Sequence, residues 1–279
     1  MSSPLRKRSR RGILKLKPWM DDICDQVEQP GFIQDDPVSF MHAFETKEDQ
    51  EIAGFLAALM AWGRRDVVLR KTEDLLGRMS NSPHQFVLNY SWKERRVFQS
   101  FRHRTFNHED IHGLLSTLRN IYQSVPDFET FWQNCYRQAI EEHRPLLALF
   151  RQHFLQQSDE LSPRTHRHLS SPEKGSTCKR LSMFLRWCTR KNSPVDPGIW
   201  DFLHPSELLI PFDTHVARES RRLGLLTRRS NDWKAVSELT GQLSEMNPDD
   251  PTRYDFALFG LGALNFDLPK GSCLNRMDD

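Results

Sequence analysis

The sequence predicts an all-α protein, for three reasons. Long segments repeat apolar residues at helical spacing, capping residues and Gly or Pro punctuate them, and alternating strand-type segments bounded by turns are absent. The chain has 279 residues, 38% of them hydrophobic. That is enough to bury a sizeable core, as one large domain or as two lobes. No internal repeat is evident.

Taken in order, residues 1 to 17 hold seven Lys or Arg and no acid. Charged termini rarely pack, so residues 1–20 are expected to form a basic flexible tail whose first 17 residues can be removed without loss of the fold, and residues 21–279 a single helical domain. "DQEIAGFLAALMAW" is apolar almost all round from Ile52 to Trp62, apart from Gly54, as a buried helix is. Asp66 fits an N-cap for "VVLRKTEDLLGRM". "EDIHGLLSTLRNIYQSV" and "DFETFWQNCYRQAIEEH" repeat the helical pattern, and Pro145 starts "PLLALFRQHFLQQ". Between Ser158 and Ser176 the chain is polar, a loop suited to border a binding surface.

"STCKRLSMFLRWCTRK" places Leu181, Phe184, Leu185 and Cys188 on one stripe. Lys179 and Arg186 are seven apart and share another face, with Arg190 close to it, giving an expected cationic front. A proline-punctuated connection comes next, ending at Asp213, which is placed to cap the next helix. Gly224 is a stop signal. "NDWKAVSELTGQLSEM" and "DDPTRYDFALFGLGALNF" supply the last two helices.

Charge is segregated along the chain. Residues 21 to 51 hold ten acids against one Lys, Arg164 to Lys191 holds eight Lys or Arg against Glu173, and Arg218 to Arg229 holds five arginines against Glu219. Clustered cations are the footprint of phosphate binding, and equally of a solvated surface. No apolar run approaches a membrane span and no secretory core opens the chain, so neither a membrane partner nor export is expected and the compartment is read as cytoplasmic. Five cysteines without a CxxC pair argue against a disulfide framework or zinc ribbon. His215 has no ligand-spaced partner, so no metal site is expected and its role is structural or phosphate-facing. "FRHRTFNHED" mixes aromatics with cations, as a stacking surface or a solvated loop does.

The succession "CKRLSMFLRW", "IPFDTHVAR" and "RYDFALFGLG" resembles the catalytic half of the helix-hairpin-helix DNA glycosylases, the endonuclease III and 8-oxoguanine glycosylase superfamily. "FLAALMAWGRRD" is similar to the buried helix of their other lobe, and the resemblance covers roughly residues 38 to 266. The whole chain also resembles a bacterial family of unassigned function that looks like a divergent branch of that superfamily. The resemblance implies a two-lobed helical fold with a cleft between the lobes, into which Lys179 and Asp213 both face. It implies DNA contacts from Arg64, Arg65, Lys174, Arg180, Arg186, His215 and Arg218. Trp62, Met183 and Phe184 are candidates for a base pocket, with core packing the competing role for Phe184 as for Trp187 and Trp200.

The activity that the resemblance implies is that of a monomeric, cytoplasmic, nucleoid-associated DNA N-glycosylase with AP-lyase activity, acting on duplex DNA at a damaged base or abasic site. The 34-residue interval from Lys179 to Asp213 is similar to that of the archaeal 8-oxoguanine glycosylases, which points to an oxidised purine. "SPEKGSTCKR" keeps only Pro172 and Gly175 of the usual hairpin turn, so a remodelled hairpin is expected. The tail "LPKGSCLNRMDD" offers one cysteine where an iron–sulfur cluster needs four thiolates, so no cluster and no other cofactor is expected. In this chemistry the target nucleotide is extruded from the stack. An ionised Asp213 stabilises the charge that develops on the sugar, and Lys179 bonds to C1′ as a Schiff base, its free amine favoured by a cationic helix face. The alternatives are a noncatalytic DNA- or RNA-binding module and a helical interaction scaffold. If the basic blocks contact phosphates, affinity for duplex DNA falls with salt, by about 10³-fold from 50 to 200 mM for six contacts. A salt titration of a labelled duplex that leaves affinity unchanged removes the expectation.

Overall fold

The apolar run of Ile52–Trp62 lies at the centre of the molecule. The computed structural model describes residues 8–158 and 160–263. The first six helices among them are α1 (Arg10–Val27), α2 (Ser39–His42), α3 (Lys47–Met60), α4 (Arg65–Arg78), α5 (Pro83–Leu88) and α6 (His108–Ser124). Next come α7 (Phe128–Glu142), α8 (Leu146–Gln156), α9 (Lys179–Thr189), α10 (Thr214–Arg222), α11 (Trp233–Ser244) and α12 (Tyr254–Ala263). Strands β1 (Arg102–His103) and β2 (Phe106–Asn107) form a two-residue antiparallel hairpin, the one sheet among the described residues. The protein is mostly helical, as its periodicity predicts.

α3 is buried on every side from Glu51 to Met60. Thr46 caps it by accepting from Asp49 N at 3.3 Å, and α2, α4, α5, α7 and α9 pack around it. The absence of a side chain at Gly54 matters here: a Cβ would lie 2.6 Å from Met41 Cγ, so α2 could not approach as it does. Glu51 is fully buried at the first core turn. It accepts from Trp200 Nε1 at 2.7 Å, Tyr122 Oη at 2.9 Å, Phe128 N at 3.1 Å and Glu129 N at 2.9 Å. One carboxylate thereby joins α3 to the start of α7 and to the long connection before Asp213.

Residues 1–20 are not a tail set apart at residue 20. From Arg10 the chain is helical, with Ser9 accepting from Gly12 N at 3.2 Å, and Ile13, Leu16, Met20, Ile23 and Val27 are buried, chiefly under α12. Arg8 N donates to Gly224 O at 3.3 Å and Arg8 Nε to Leu223 O at 2.5 Å, so the entry strand is tied down too. The reason lies in spacing. The five apolar residues recur at i, i+3, i+7, i+10 and i+14, a stripe hidden in the average by the cations on the opposite side. Residues 1–7 lie outside the described residues.

Three smaller expectations also shift. α4 starts at Arg65, one residue before Asp66; Asp66 sits in its first turn, where the helix dipole favours an acid, and pairs with Arg64 at 3.0 Å. The polar stretch 158–176 contains two 3-10 turns, Thr165–His168 and Pro172–Lys174, and is pinned inward: Thr165 Oγ1 and Arg164 Nη1 donate to the buried Asp110 at 2.8 and 2.9 Å. "FRHRTFNHED" is the β1–β2 hairpin and points its aromatics into the fold, with Phe101, His103 and Phe106 buried. Pro145, Asp213 and Gly224 hold their expected helix-terminal positions, Gly224 at φ +70°.

Because α1 belongs to the core, Leu16→Ala should cost about 2–5 kcal/mol, the range for emptying a packed leucine site. Lys15→Ala, on the exposed face, should be near neutral. Urea denaturation of both variants checks this, and equal small losses would show α1 to be peripheral.

Candidate active site

α9 and α10 each bring one charged side chain to the same point. α9 follows a 3-10 turn and Gly175, and enters through Cys178 in the left-handed conformation at φ +52°, which costs a non-glycine residue about 1–2 kcal/mol. Cys178 is 1% exposed and accepts no helix N–H, so packing rather than capping holds it. Lys179 comes next. Thirty-four residues on, Asp213 opens α10, its Oδ1 accepting from His215 N at 2.8 Å and Val216 N at 2.9 Å. Its Oδ2 accepts from Lys179 Nζ at 2.8 Å.

The two oxygens of Asp213 thus serve two purposes, one holding the helix start and one holding the lysine. Burial pushes its carboxyl up, but the charge and hydrogen bond of Lys179, with the helix N–H groups, outweigh it and leave the group below the usual carboxylate range. Asp213 is ionised at neutral pH. The pair is accessible, with the side chains of Lys179 and Asp213 34% and 26% exposed.

Both residues line an open cleft of about 340 Å³. One part of the wall comes from the α3–α4 side, through Ala61, Gly63, Arg65 and Val68; the other comes from α9, α10 and α12, through Met183, His215 and Phe259. Asp36 also lines it and is a site residue that sequence reasoning missed. Its Oδ1 accepts from Val38 N at 3.1 Å, Arg65 Nη2 stands 3.9 Å from Oδ2, and burial holds its carboxyl above the usual range. The Asp-Pro step in "QDDPVSF" is a turn signal that could have drawn attention to it, but nothing local says that the turn faces α9. Phe259 was missed too; Arg65 lies over its ring with the guanidinium carbon 4.8 Å from the centroid.

Of the other sequence-predicted site residues, Arg65, His215 and Met183 reach the cleft. His215 is exposed, with Nδ1 3.2 Å from Gly262 O. Arg218 is tied at the same edge, donating to Gly262 O at 3.0 Å and to Glu219 at 2.6 Å. Arg64 and Lys174 are exposed but do not line the cleft.

Three expectations fail, and one open choice is settled. Arg186 is buried and spent on Asp196 and Asp255, and Arg190 likewise on Asp196, Asp250 and Glu28, so α9 has no cationic front and no help for a free amine comes from one. Helical spacing showed that these cations share a side; the carboxylates that meet them come from distant segments. Arg180 donates from Nη1 to Leu59 O at 2.6 Å, and burial pushes its guanidinium down to about 10, so it joins α9 to α3 rather than meeting phosphate. Of its two candidate roles Phe184 takes core packing, fully buried among Phe55, Phe128, Trp132 and Trp200. Trp62 packs edge-on to His103 at 5.5 Å and under Arg104 at 4.8 Å, away from the cleft lining.

The Arg218–Arg229 block lies at the surface, but most of its arginines are paired within the protein. Arg218 and Arg222 flank the buried Glu219, Arg221 donates to the carbonyls of Arg228 and Arg229, and Arg228 pairs with Asp232. Among the described residues no group of three or more His, Cys, Asp or Glu is arranged to hold a metal ion. No described helix is long and apolar enough to cross a membrane. Cys24, Cys135, Cys178 and Cys188 are buried free thiols, while Cys273 and its tail lie outside the described residues.

These features define a mostly helical protein whose open cleft holds a lysine–aspartate pair drawn from two helix starts. The chain belongs to the DUF2400 family, described as proteins of unknown function, whose profile matches residues 36–264 and so includes Asp36, Lys179 and Asp213. No curated protein and no solved structure matches the chain.

Since Lys179 holds the carboxyl of Asp213 down against burial, Lys179→Gln should raise the pH at which Asp213 titrates. Asp213's contribution to stability, present above its unfolded pKa and lost as pH falls through its lower folded one, should shrink in that variant. Carboxyl ¹³C titration by NMR reads the shift directly, and an unchanged Asp213 titration would mean that the pair is not formed in solution.

Proposed function

We propose that the protein is a DNA base-excision glycosylase with associated lyase activity, acting on an oxidised purine or an abasic site in duplex DNA. The single observation that carries the reading is the 2.8 Å contact of Lys179 Nζ with Asp213 Oδ2 in an open cleft. A lysine opening one helix and an aspartate opening a later one, facing one cleft, is what the resemblance to helix-hairpin-helix glycosylases implies. The cleft walls divide between the α3–α4 side and the α9–α12 side, which supports a two-lobed arrangement with DNA seated across it. The volume is that of a small-ligand pocket, suited to one extruded base. The turn before α9 departs from the usual glycine-rich hairpin: it is a 3-10 turn, Pro172–Lys174, closed by Gly175.

In this reading the glycosidic C1′–N bond breaks and the base leaves with the electron pair. Ionised Asp213 stabilises the positive charge that grows on the sugar. The Lys179 ammonium gives up a proton, which Asp213 relays and which ends on the departing base; the amine then bonds to C1′. The C1′–O4′ bond opens, the second amine proton passes to O4′, and a protonated Schiff base remains. Loss of a C2′ proton then expels the 3′ phosphate and cuts the strand. Asp36 supplies a further carboxyl, beside Arg65, for the edge of the extruded base.

Borohydride should trap a covalent adduct with duplexes carrying the lesion or an abasic site. Lys179→Gln should abolish the adduct. Asp213→Asn should retain the helix cap, since asparagine caps nearly as well, yet slow base release by roughly 100-fold or more. No adduct on a broad lesion panel with abasic DNA included would reduce the site to a structural ion pair, and full excision by Asp213→Asn would reduce Asp213 to a helix cap.

A further inference from the structure

Cations left out of the internal pairing gather at a second place, around the exposed side chain of Trp92. It is 77% exposed, more than any other large hydrophobic side chain among the described residues. An indole left in water at that level has usually been kept for contact with something else. Trp92 precedes a 3-10 turn, Glu94–Phe98, and the stretch reads "SWKERR". Glu94 makes no ion pair with its neighbours; its carboxylate turns back to accept from Ser91 N at 2.9 Å and from the Ser91 hydroxyl. Among the described residues none of Lys93, Arg95, Arg96 and Arg119 is in an ion pair.

Trp92 forms a wall shared by two hollows. One, of about 580 Å³, is lined also by Lys93, Arg95, Arg96 and His108. The other, of about 350 Å³, is lined also by His112, Arg119, Asn120 and Gln157. One lining residue of each has a buried nitrogen without a partner, His108 Nδ1 in the first and Arg119 Nε in the second. Such orphans cost free energy unless a ligand or water meets them. The one acid on the second hollow, Glu160, is 53% exposed and stands 3.5 Å from His112 Nε2.

We propose that Trp92 and these cations form a second site, which holds an unpaired nucleotide of a nucleic-acid strand with its base stacked on the indole and its phosphates on Lys93, Arg95 and Arg96. A flat exposed ring next to cations held in no ion pair is the combination by which single strands are held, stacking supplying affinity and the cations tracking the backbone. The polar hollow behind the ring, with the Arg119 guanidinium and the amides of Asn120 and Gln157, can meet the edge of a stacked base. An apolar protein partner would leave those polar walls unmet. The site does not rest on the reading of Lys179 and Asp213, which line a different cleft.

The test uses the full chain and a fluorescein-labelled single-stranded thymidylate dodecamer, followed by anisotropy. Trp92→Ala should weaken binding roughly 5- to 150-fold, the range that removing one stacking aromatic gives, and Trp92→Phe should restore most of it. Lys93→Gln with Arg95→Gln and Arg96→Gln should flatten the salt dependence by about 2 units of logarithmic slope, as the loss of three single-strand phosphate contacts predicts. Lys15→Gln, at an exposed cation that lines neither hollow nor the cleft, should bind the strand as wild type does, so that the losses above report this site. Wild-type affinity in Trp92→Ala overturns the proposal, as does a variant whose only change, by sedimentation, is lost self-association. Competition by thymidine monophosphate as strong as by the unlabelled strand overturns the assignment to a strand.

Discussion

The geometry of the cleft depends on a buried ion network at the far end of α9. Arg186 and Arg190, 4% and 3% exposed, share Asp196 between them, and reach Asp255 on α12, Asp250 just before it and Glu28 at the end of α1. Charges so deeply placed are tolerable only when fully paired, and removing one partner of such a set leaves a buried charge at a cost of about 3–5 kcal/mol. The rings of the core join in, with both guanidiniums over the face of Phe256. An 11-residue helix is about 16 Å long, so fixing its C-terminal half by several charge-assisted bonds also fixes where Lys179 stands at its start. The network reaches toward the site electrically as well. Burial pushes Asp255 up to about 6, against the pull of Arg186 and with a further upward push from Asp213.

Glu51 performs the matching task on the other side of α9. Its four donors come from three segments, and the indole of Trp200 is the one that reaches over from the 190–213 connection. A connection with four prolines would otherwise have little regular structure to order it. Held at Trp200 by Glu51 and at Asp196 by the two arginines, it delivers Asp213 at a defined place beside Lys179. The desolvation that pushes the Glu51 carboxyl up to about 7 is the cost of that position.

Much of this frame was legible in the sequence where the signal was local. The stripe Leu181, Phe184, Leu185 and Cys188, the all-round apolar run of α3, the Asp213 cap and the Gly224 stop each depend on residues within a few positions of one another. The meeting of Lys179 with Asp213 was legible only through resemblance, since no spacing rule joins residues on separate helices. Everything decided by a distant partner escaped. Arg186 has the spacing of a surface cation and the burial of a core residue because Asp196 and Asp255 come to it. Asp36 is a turn residue whose role depends on Arg65 and the cleft behind it. α1 was concealed differently: its stripe is present in the sequence, but the basic composition of residues 1–17 is also that of a solvated tail.

The fate of the arginines bears on how charge is read in any chain. The richest basic runs, 164–191 and 218–229, are the ones most fully consumed: Arg164 on Asp110, Arg186 and Arg190 in the core, Arg218 and Arg222 on Glu219, Arg221 on carbonyls, Arg228 on Asp232. The short run at Lys93–Arg96 includes an acid and stands out less in a count, yet its acid turns to Ser91, none of its cations is in an ion pair among the described residues, and they line an open hollow. A phosphate responds to the charge left over after internal pairing, because a guanidinium already holding a carboxylate must lose that bond to gain another. The lysine–aspartate pair obeys the same rule. Lys179 and Asp213 hold each other at 2.8 Å, and Arg65 at the rim stands 3.9 Å from Asp36, so only a group able to separate these pairs can use their charges.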